Sequence, residues 1–349
     1  MKKIFIETPF LDETSFNGYL LSHLSYGDFF KKNRKISNIL KNGYSGSSLF
    51  SRFRNPELIQ KMYLEKDPEY FAFLSAFKER YSDFDIIFMN PGVDLVHPEY
   101  LIKNFPNAIK VLHFVDDPHA SYSYGFPYSW AFDAATYISP SYSENYSMEE
   151  ILNLVGFKNT KWFPLCSNNI GDPEYSCEEL EVQLDQRNEK AVYIGNYYSK
   201  KNSRLAKLKK KLGKDLDIYG RFPLKGNSFW IDSVIRGIPS FYSPKTLTHQ
   251  EREDVYKDYS IALNLHLSSP SLETGNARLY EVAYRGLAQV VDASNFSLVS
   301  QIFQPDKEVL LYETEEECYQ QIIRLKEDRK LRNDLAMAGY QRAIEEYRY

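Results

Sequence analysis

The 349-residue chain predicts an α/β protein of two domains, each built on a parallel sheet of short strands joined through helices. Three observations carry this expectation. Short apolar runs alternate with longer amphipathic stretches in both halves; the alternation breaks once, between residues 168 and 190; and no segment reaches the ~18 uninterrupted apolar residues that a membrane span needs.

In the first half, residues 3–6 (KIFI), 85–89 (DIIFM), 110–115 (KVLHFV) and 135–139 (ATYIS) have strand length and composition, while 44–82 reads mostly as helix. Residues 168–190 lose the strand signal and carry Gly171-Asp172-Pro173, which predicts a linker. The second half restarts with strands at 191–194 (AVYI), 216–219 (LDIY), 261–265 (IALNL), 288–291 (AQVV) and 308–311 (EVLL). Helices are expected at 203–212, 248–259, 275–287 and 297–303, and residues 315–349 read as charged and helix-rich.

Lys and Arg total 43 against 47 Asp and Glu, so the net charge of −4 argues against a general nucleic-acid binder, and no nucleic-acid partner is expected. Cys166, Cys177 and Cys318 form no CxxC pair and have no nearby His at metal spacing, which points to a reduced, cytoplasmic setting. The opening MKKIFIETPF is too short for a signal sequence. Phe and Tyr, 23 and 28 residues, suit sugar sites and cores alike.

Ligands of an open parallel sheet gather outside the carboxyl ends of its strands, so the residues just after strands are the candidates. Strand 261–265 leads into HLSSPSLETGNARLYEVAYRGL, where Gly275 opens a helix with the apolar stripe Leu279, Val282, Ala283 and Leu287. The free N–H groups of that start, with Arg278 in the first turn, suit a phosphate or diphosphate. Glu273 precedes the helix and Glu281 lies two turns inside it, so the two carboxylates reach different parts of one extended anionic ligand. Glu281 is suited to accept hydrogen bonds from ribose hydroxyls; the alternative is an ordinary i,i+4 surface pair with Arg285.

Gly195 and Asn196 form a turn followed by Lys200, Lys201 and Arg204, a second anion-facing loop at a helix start. The later Lys207, Lys209, Lys210, Lys211 and Lys214 read as a solvated face, with membrane or nucleic-acid contact the lesser alternative. Tyr219 and Gly220 offer a ring and backbone to a nucleobase, or make a tight turn with a core tyrosine. In HFVDDPHAS, His113, Asp116, Asp117 and His119 gather after a strand as candidate acid–base groups; alternatively an Asp caps the turn before Pro118 and His113 is a core residue. His266, after LNL, approaches the ligand or simply ends its strand. Residues 29–44 mix cations with apolar side chains and read as a surface helix more readily than as a membrane contact.

The set YIGN with downstream Arg204, then DIYG, LNLH and ETGNARLYE, resembles the donor half of GT-B glycosyltransferases of the family 4 (group 1) type, nearest to the branch similar to spore maturation protein B. AMAGYQRAIEEY resembles the same branch; the likeness covers 190–349 well and the first half only in outline, through VDDP. The resemblance implies two Rossmann-like domains facing each other across a cleft, with residues 1–170 on the acceptor side, 171–329 on the nucleotide-sugar side, and a helix at about 330–349 packing back on the first domain. It implies transfer of a sugar from a nucleoside-diphosphate sugar to a hydroxyl of a glycan, lipid-linked or protein acceptor. Retention, no divalent ion and no cofactor beyond the donor are expected, with a role in bacterial surface glycan synthesis and, as a lesser alternative, peripheral contact with the inner membrane face. The family's donor-side acids map onto Glu273 and Glu281 and its phosphate turn onto Gly275, Asn276 and Ala277, although many relatives follow the first Glu with Gly-Phe-Gly where this chain has Thr274-Gly275-Asn276. If the reaction inverts, Asp116, Asp117 or His119 is the expected base. The rival readings are a nucleotide-sugar 2-epimerase of the same fold and a nucleotide-sugar-binding protein without catalysis.

Overall fold

The computed structural model describes residues 4–6, 56–89, 96–114, 126–143, 146–165, 174–195, 199–220, 247–266, 276–293 and 299–348. The chain divides into two compact units, Met1–Pro164 and Leu165–Tyr349.

In the first unit, β1 (Ile4–Ile6), β2 (Ile86–Met89), β3 (Ile109–Phe114), β4 (Ala134–Tyr137) and, after the short antiparallel pair β5 (Ser141–Ser143) and β6 (Tyr146–Ser147), β7 (Thr160–Trp162) are present. The five strands β1-β2-β3-β4-β7 lie in that order, and all pair parallel. The helices are α1 (Pro56–Leu64), α2 (Pro68–Tyr81), α3 (Pro98–Asn104) and α4 (Met148–Leu154). Three of them open on proline, whose missing N–H costs nothing in a first turn. Ser147 and Glu150 form a reciprocal capping box on α4. Leu74 and Phe77 of α2, Leu101 of α3 and Leu152 of α4 close on Ile87 and Leu112 of the sheet. β7 is not foreseen by the sequence reading because its three residues, TKW, are too few to display a period.

The second unit begins with a correction to the expected linker. Residues 168–190 include α5 (Cys177–Gln186), started by a capping box of Ser176 and Glu179. Its acidic exposed face hides the signal, while Leu180 and Leu184 are buried in the core. Five parallel strands follow: β8 (Asn188–Ile194), β9 (Leu216–Tyr219), β10 (Tyr259–Asn264), β11 (Ala288–Asp292) and β12 (Leu310–Tyr312). Between and after them come α6 (Ser199–Leu212), α7 (His249–Asp258), α8 (Ala277–Tyr284), α9 (Val299–Ile302), α10 (Glu315–Glu327) and α11 (Arg329–Glu346). Every residue of β10 is buried, as a strand covered on both faces requires.

Alternate residues of β8 serve opposite layers. Tyr193 joins Leu205 and Leu212 of α6 and Ile322 of α10, whereas Val192 and Ile194 join Tyr256 of α7 and Val282 of α8. The C-terminal helix α11 packs against α5, α8, α10, β10 and β11. Tyr340 ties it there, its hydroxyl accepting from the Tyr175 N–H at 2.6 Å and donating to the Tyr175 carbonyl at 3.0 Å.

The sheet order is β12-β11-β10-β8-β9. The chain steps from β8 outward to β9, then returns to lay β10 on the other flank of β8. The topological switch point therefore falls between β8 and β10, outside whose carboxyl ends the ligands of open parallel sheets bind.

Candidate functional site

Four segments converge at that switch point. β8 is followed by Gly195 and β9 by Gly220, β10 ends in Asn264 followed by Leu265 and His266, and α8 starts after Asn276. Gly195 donates its N–H to the Tyr219 carbonyl at 3.0 Å. Gly220 has φ of +121°, and a Cβ there would lie 1.9 Å from the Gly195 carbonyl oxygen. A Cβ on Gly195 would lie 2.6 Å from the Tyr193 hydroxyl and 2.8 Å from a guanidinium nitrogen of Arg278. The two glycines thus let the strand ends and an arginine share space that no side chain can enter.

Asn276 is the N-cap of α8: its Oδ1 accepts from the Leu279 N–H at 3.3 Å, and its Nδ2 donates to Asn264 Oδ1 at 2.9 Å and to the Leu265 carbonyl at 3.3 Å. The N–H groups of Ala277 and Arg278 have no carbonyl partner within the helix, because they lie in its first turn. Arg278 donates through Nη1 to Asn264 Oδ1 at 3.4 Å, and its guanidinium lies 4.8 Å above the Tyr193 ring. Since Tyr193 belongs to the α6 layer and α8 to the opposite one, the guanidinium crosses the carboxyl edge of the sheet. No carboxylate among the described residues forms an ion pair with it. A helix N-terminus and a guanidinium without a counter-ion among the described residues make an electropositive site suited to a phosphate or diphosphate.

Glu281 stands at the seam of α7 and α8. Its Oε1 is 3.3 Å from Nε of Arg252, and its side chain stays partly exposed. The alternative pairing of Glu281 with Arg285 is corrected by the structure. Arg285 is buried, donates through Nε to Glu253 at 2.5 Å and through Nη1 to the backbone carbonyl of Glu281 at 2.8 Å. Burial favours the nearest buried carboxylate, on α7, over a solvated partner one turn away. Beneath them, burial pushes the Tyr256 hydroxyl far above its ordinary pKa, and the Glu281 charge adds to this.

Arg204, expected to face phosphate, pairs instead with Asp292 at 2.6 Å and with Glu315 at 3.5 Å, its guanidinium 5.7 Å from the centre of the Tyr312 ring. Lys200 and Lys201 lie in the first turn of α6, and their side chains, like Asn196, fall outside the described residues. The expected solvated lysine face is laced to α10: Lys207 lies 3.6 Å from Glu315, and Lys211 pairs with Glu316 while stacking on Tyr319 at 4.9 Å. Lys209 donates to the Leu216 carbonyl at 2.5 Å. Tyr219 packs edge-on against Tyr259 at 6.2 Å with the two hydroxyls 3.0 Å apart. It is thus a packed tyrosine beside a tight turn. His266 is buried at the end of β10, its Nδ1 2.8 Å from the Asp292 carbonyl.

His113, read among the acid–base candidates, is a core residue of β3. It bonds through Nδ1 to Thr136 Oγ1 at 2.7 Å and lies between Phe88 and Phe163, with ring centres 5.0 and 5.6 Å away. Burial drives its pKa down to about 3, so the imidazole stays neutral. Asp116, Asp117, His119, Glu273 and Gly275 lie outside the described residues. Sequence reasoning missed Asn264 and Tyr193; the signal available for Asn264 was an amide inside the otherwise apolar run IALNL.

A profile of the family described as "Glycosyl transferase-like" matches residues 201–349. No curated protein matches the chain. Among solved structures, an alpha-glucosyltransferase in complex with UDP and a 13-mer DNA containing an HMU base is 13% identical, with 100% of this chain and 96% of that one covered and a TM-score of 0.57. A sucrose-phosphate synthase from Thermosynechococcus elongatus is 14% identical over 83% of this chain and 75% of that one, with a TM-score of 0.53. Anabaena HepE in complex with UDP-glucose is 12% identical over 79% and 78%, with a TM-score of 0.52. The expectation of no nucleic-acid partner is corrected here: similar structures include glucosyltransferases that hold DNA, so a net charge of −4 does not set this chain apart from nucleic acid. Among the described residues no helix is long and apolar enough to cross a membrane. The chain has the GT-B fold, with Rossmann-like units, and its C-terminal part is glycosyl transferase-like.

Proposed function

We propose that the protein is a glycosyltransferase that holds a nucleoside-diphosphate sugar at the switch point of its second unit and passes the sugar to a hydroxyl acceptor. The observation that supports this most is Arg278, a guanidinium laid across the carboxyl edge of β8 and β10 beside the first-turn amides of α8, with no ion-pair partner among the described residues. When the bond between the anomeric carbon and the diphosphate breaks, negative charge grows on the leaving group. Donors fixed in advance around that charge lower the barrier without reorganising. Glu281, held by Arg252 yet partly exposed, is the ribose anchor in this reading.

Structures of similar fold that hold UDP or UDP-glucose support the nucleotide donor, and those that hold DNA widen the acceptor classes from glycan, lipid-linked or protein hydroxyls to nucleic acid. The family 4 resemblance supports the finer parts: a hexosyl donor, retention of configuration, activity in a chelator, and a place in bacterial surface glycan assembly. The test is a thermal-shift screen of UDP, GDP, dTDP and CDP sugars on wild type, Arg278→Ala and Glu281→Ala. One nucleotide series stabilises wild type, by about 2.7 kcal/mol at a hundred times Kd, and both variants lose most of that gain. A wild type indifferent to all four series refutes the reading.

A further inference from the structure

The side chain of Asn264 has no exposed surface and is divided between two duties. Its Oδ1 accepts from Asn276 Nδ2 at 2.9 Å and from Arg278 Nη1 at 3.4 Å, so one oxygen holds both the helix cap and the guanidinium. Its Nδ2, equally buried, has no hydrogen-bond partner among the described residues. A buried amide nitrogen left unpaired is costly, on the order of 1–3 kcal/mol, and Leu or Val would fill the same place in the apolar strand IALNL without that cost. The backbone carbonyl of Asn264 is fixed as well, by the Tyr312 hydroxyl at 3.3 Å.

We propose that Asn264 is a positioning residue for the donor diphosphate: through Oδ1 it sets Arg278 and the Asn276 cap at the switch point, and its unpaired Nδ2–H is kept as a neutral donor for an oxygen of that diphosphate. The inference rests on the glycosyl-donor reading given above. An amide suits the task where a second lysine or arginine does not, because it adds a donor without another buried charge. It also explains how Arg278 is held over Tyr193 with no carboxylate paired to it among the described residues. The guanidinium is held by a neutral acceptor, which orients it and leaves its charge for the ligand.

The test measures binding of UDP, GDP, dTDP and CDP, of the four matching monophosphates, and of inorganic pyrophosphate to wild type, Asn264→Asp, Asn264→Ala, Arg278→Ala and the Asn264→Ala/Arg278→Ala double variant, with the ligand-free Tm of each. For the nucleotide that wild type prefers, Asn264→Ala weakens the diphosphate tenfold or more while changing the monophosphate much less. The double variant binds more weakly than Arg278→Ala alone, but by less than the two single losses added, since Asn264 acts partly through that residue and partly through its own Nδ2–H. Asn264→Asp keeps the acceptor oxygen and the ligand-free Tm, yet loses diphosphate and pyrophosphate binding, because it exchanges a donor for a negative charge. The proposal is overturned if Asn264→Asp binds diphosphate as wild type does, or if Asn264→Ala weakens mono- and diphosphates equally. Loss of all nucleotide binding by wild type itself would instead strike the glycosyl-donor reading, and this proposal with it.

Discussion

His113 supplies a pH dependence whose sign and size follow from its surroundings. The ring is 6% exposed in β3, and burial takes its pKa from 6.5 to about 3. The folded pKa lies below the unfolded one, so the stabilisation is complete above about pH 6.5 and is lost as the pH falls from there toward 3, where the folded state also takes up the proton. At pH 5 the unfolded chain binds a proton that the folded chain refuses, at a cost of about 2 kcal/mol; below pH 3 the loss levels off near 5 kcal/mol, taking about 1.4 kcal/mol per pKa unit. His113→Asn removes the titration and keeps a polar atom within reach of Thr136 Oγ1. Urea unfolding at pH 7.5 and 5, followed by hydrogen exchange at β3 to isolate the first unit, reads the difference. Wild type loses about 2 kcal/mol more than the variant between the two pH values. Parallel losses would refute the argument, whatever pH-independent cost the smaller side chain imposes.

Gly220→Ala puts a methyl 1.9 Å from the Gly195 carbonyl at a φ of +121°, so the neighbouring ends of β8 and β9 must move apart; about 1–3 kcal/mol of stability is lost and nucleotide binding falls with it, by urea unfolding and thermal shift. Glu253→Ala strands the buried Arg285 guanidinium and destabilises by about 3–5 kcal/mol, whereas Glu253→Gln keeps the acceptor for Arg285 Nε and costs less in the same denaturation assay. Ser176→Ala dissolves the capping box of α5 and costs about 1 kcal/mol, seen as faster hydrogen exchange at the start of that helix.

The second sheet was legible because its strands are buried on both faces, so IALNL and AQVV stand out as continuous apolar runs from the helices between them. The start of α8 was legible too, from an arginine just before an apolar stripe. Pairing was not legible. Arg204 and Arg278 look alike in sequence, both cations at helix starts, but one meets Asp292, 88 residues away, and the other, among the described residues, meets an amide and a ring. The alternative pairing of Glu281 with Arg285 fails for the same reason, since the Arg252 of α7 that Glu281 meets depends on how two helices pack and not on spacing within one. His113 shows the limit from the other direction: a titratable residue beside acidic neighbours in sequence turns out to be held among aromatic rings. α5 escaped notice because its exposed face is acidic and only two leucines enter the core.

The measurement that bears most directly on the whole account is a crystal structure of the chain bound to the nucleoside diphosphate that stabilises it best. The account predicts phosphate oxygens within hydrogen-bond distance of the Arg278 guanidinium and of the first-turn amides of α8. A diphosphate bound elsewhere, with Arg278 still lying untouched over Tyr193, would contradict it.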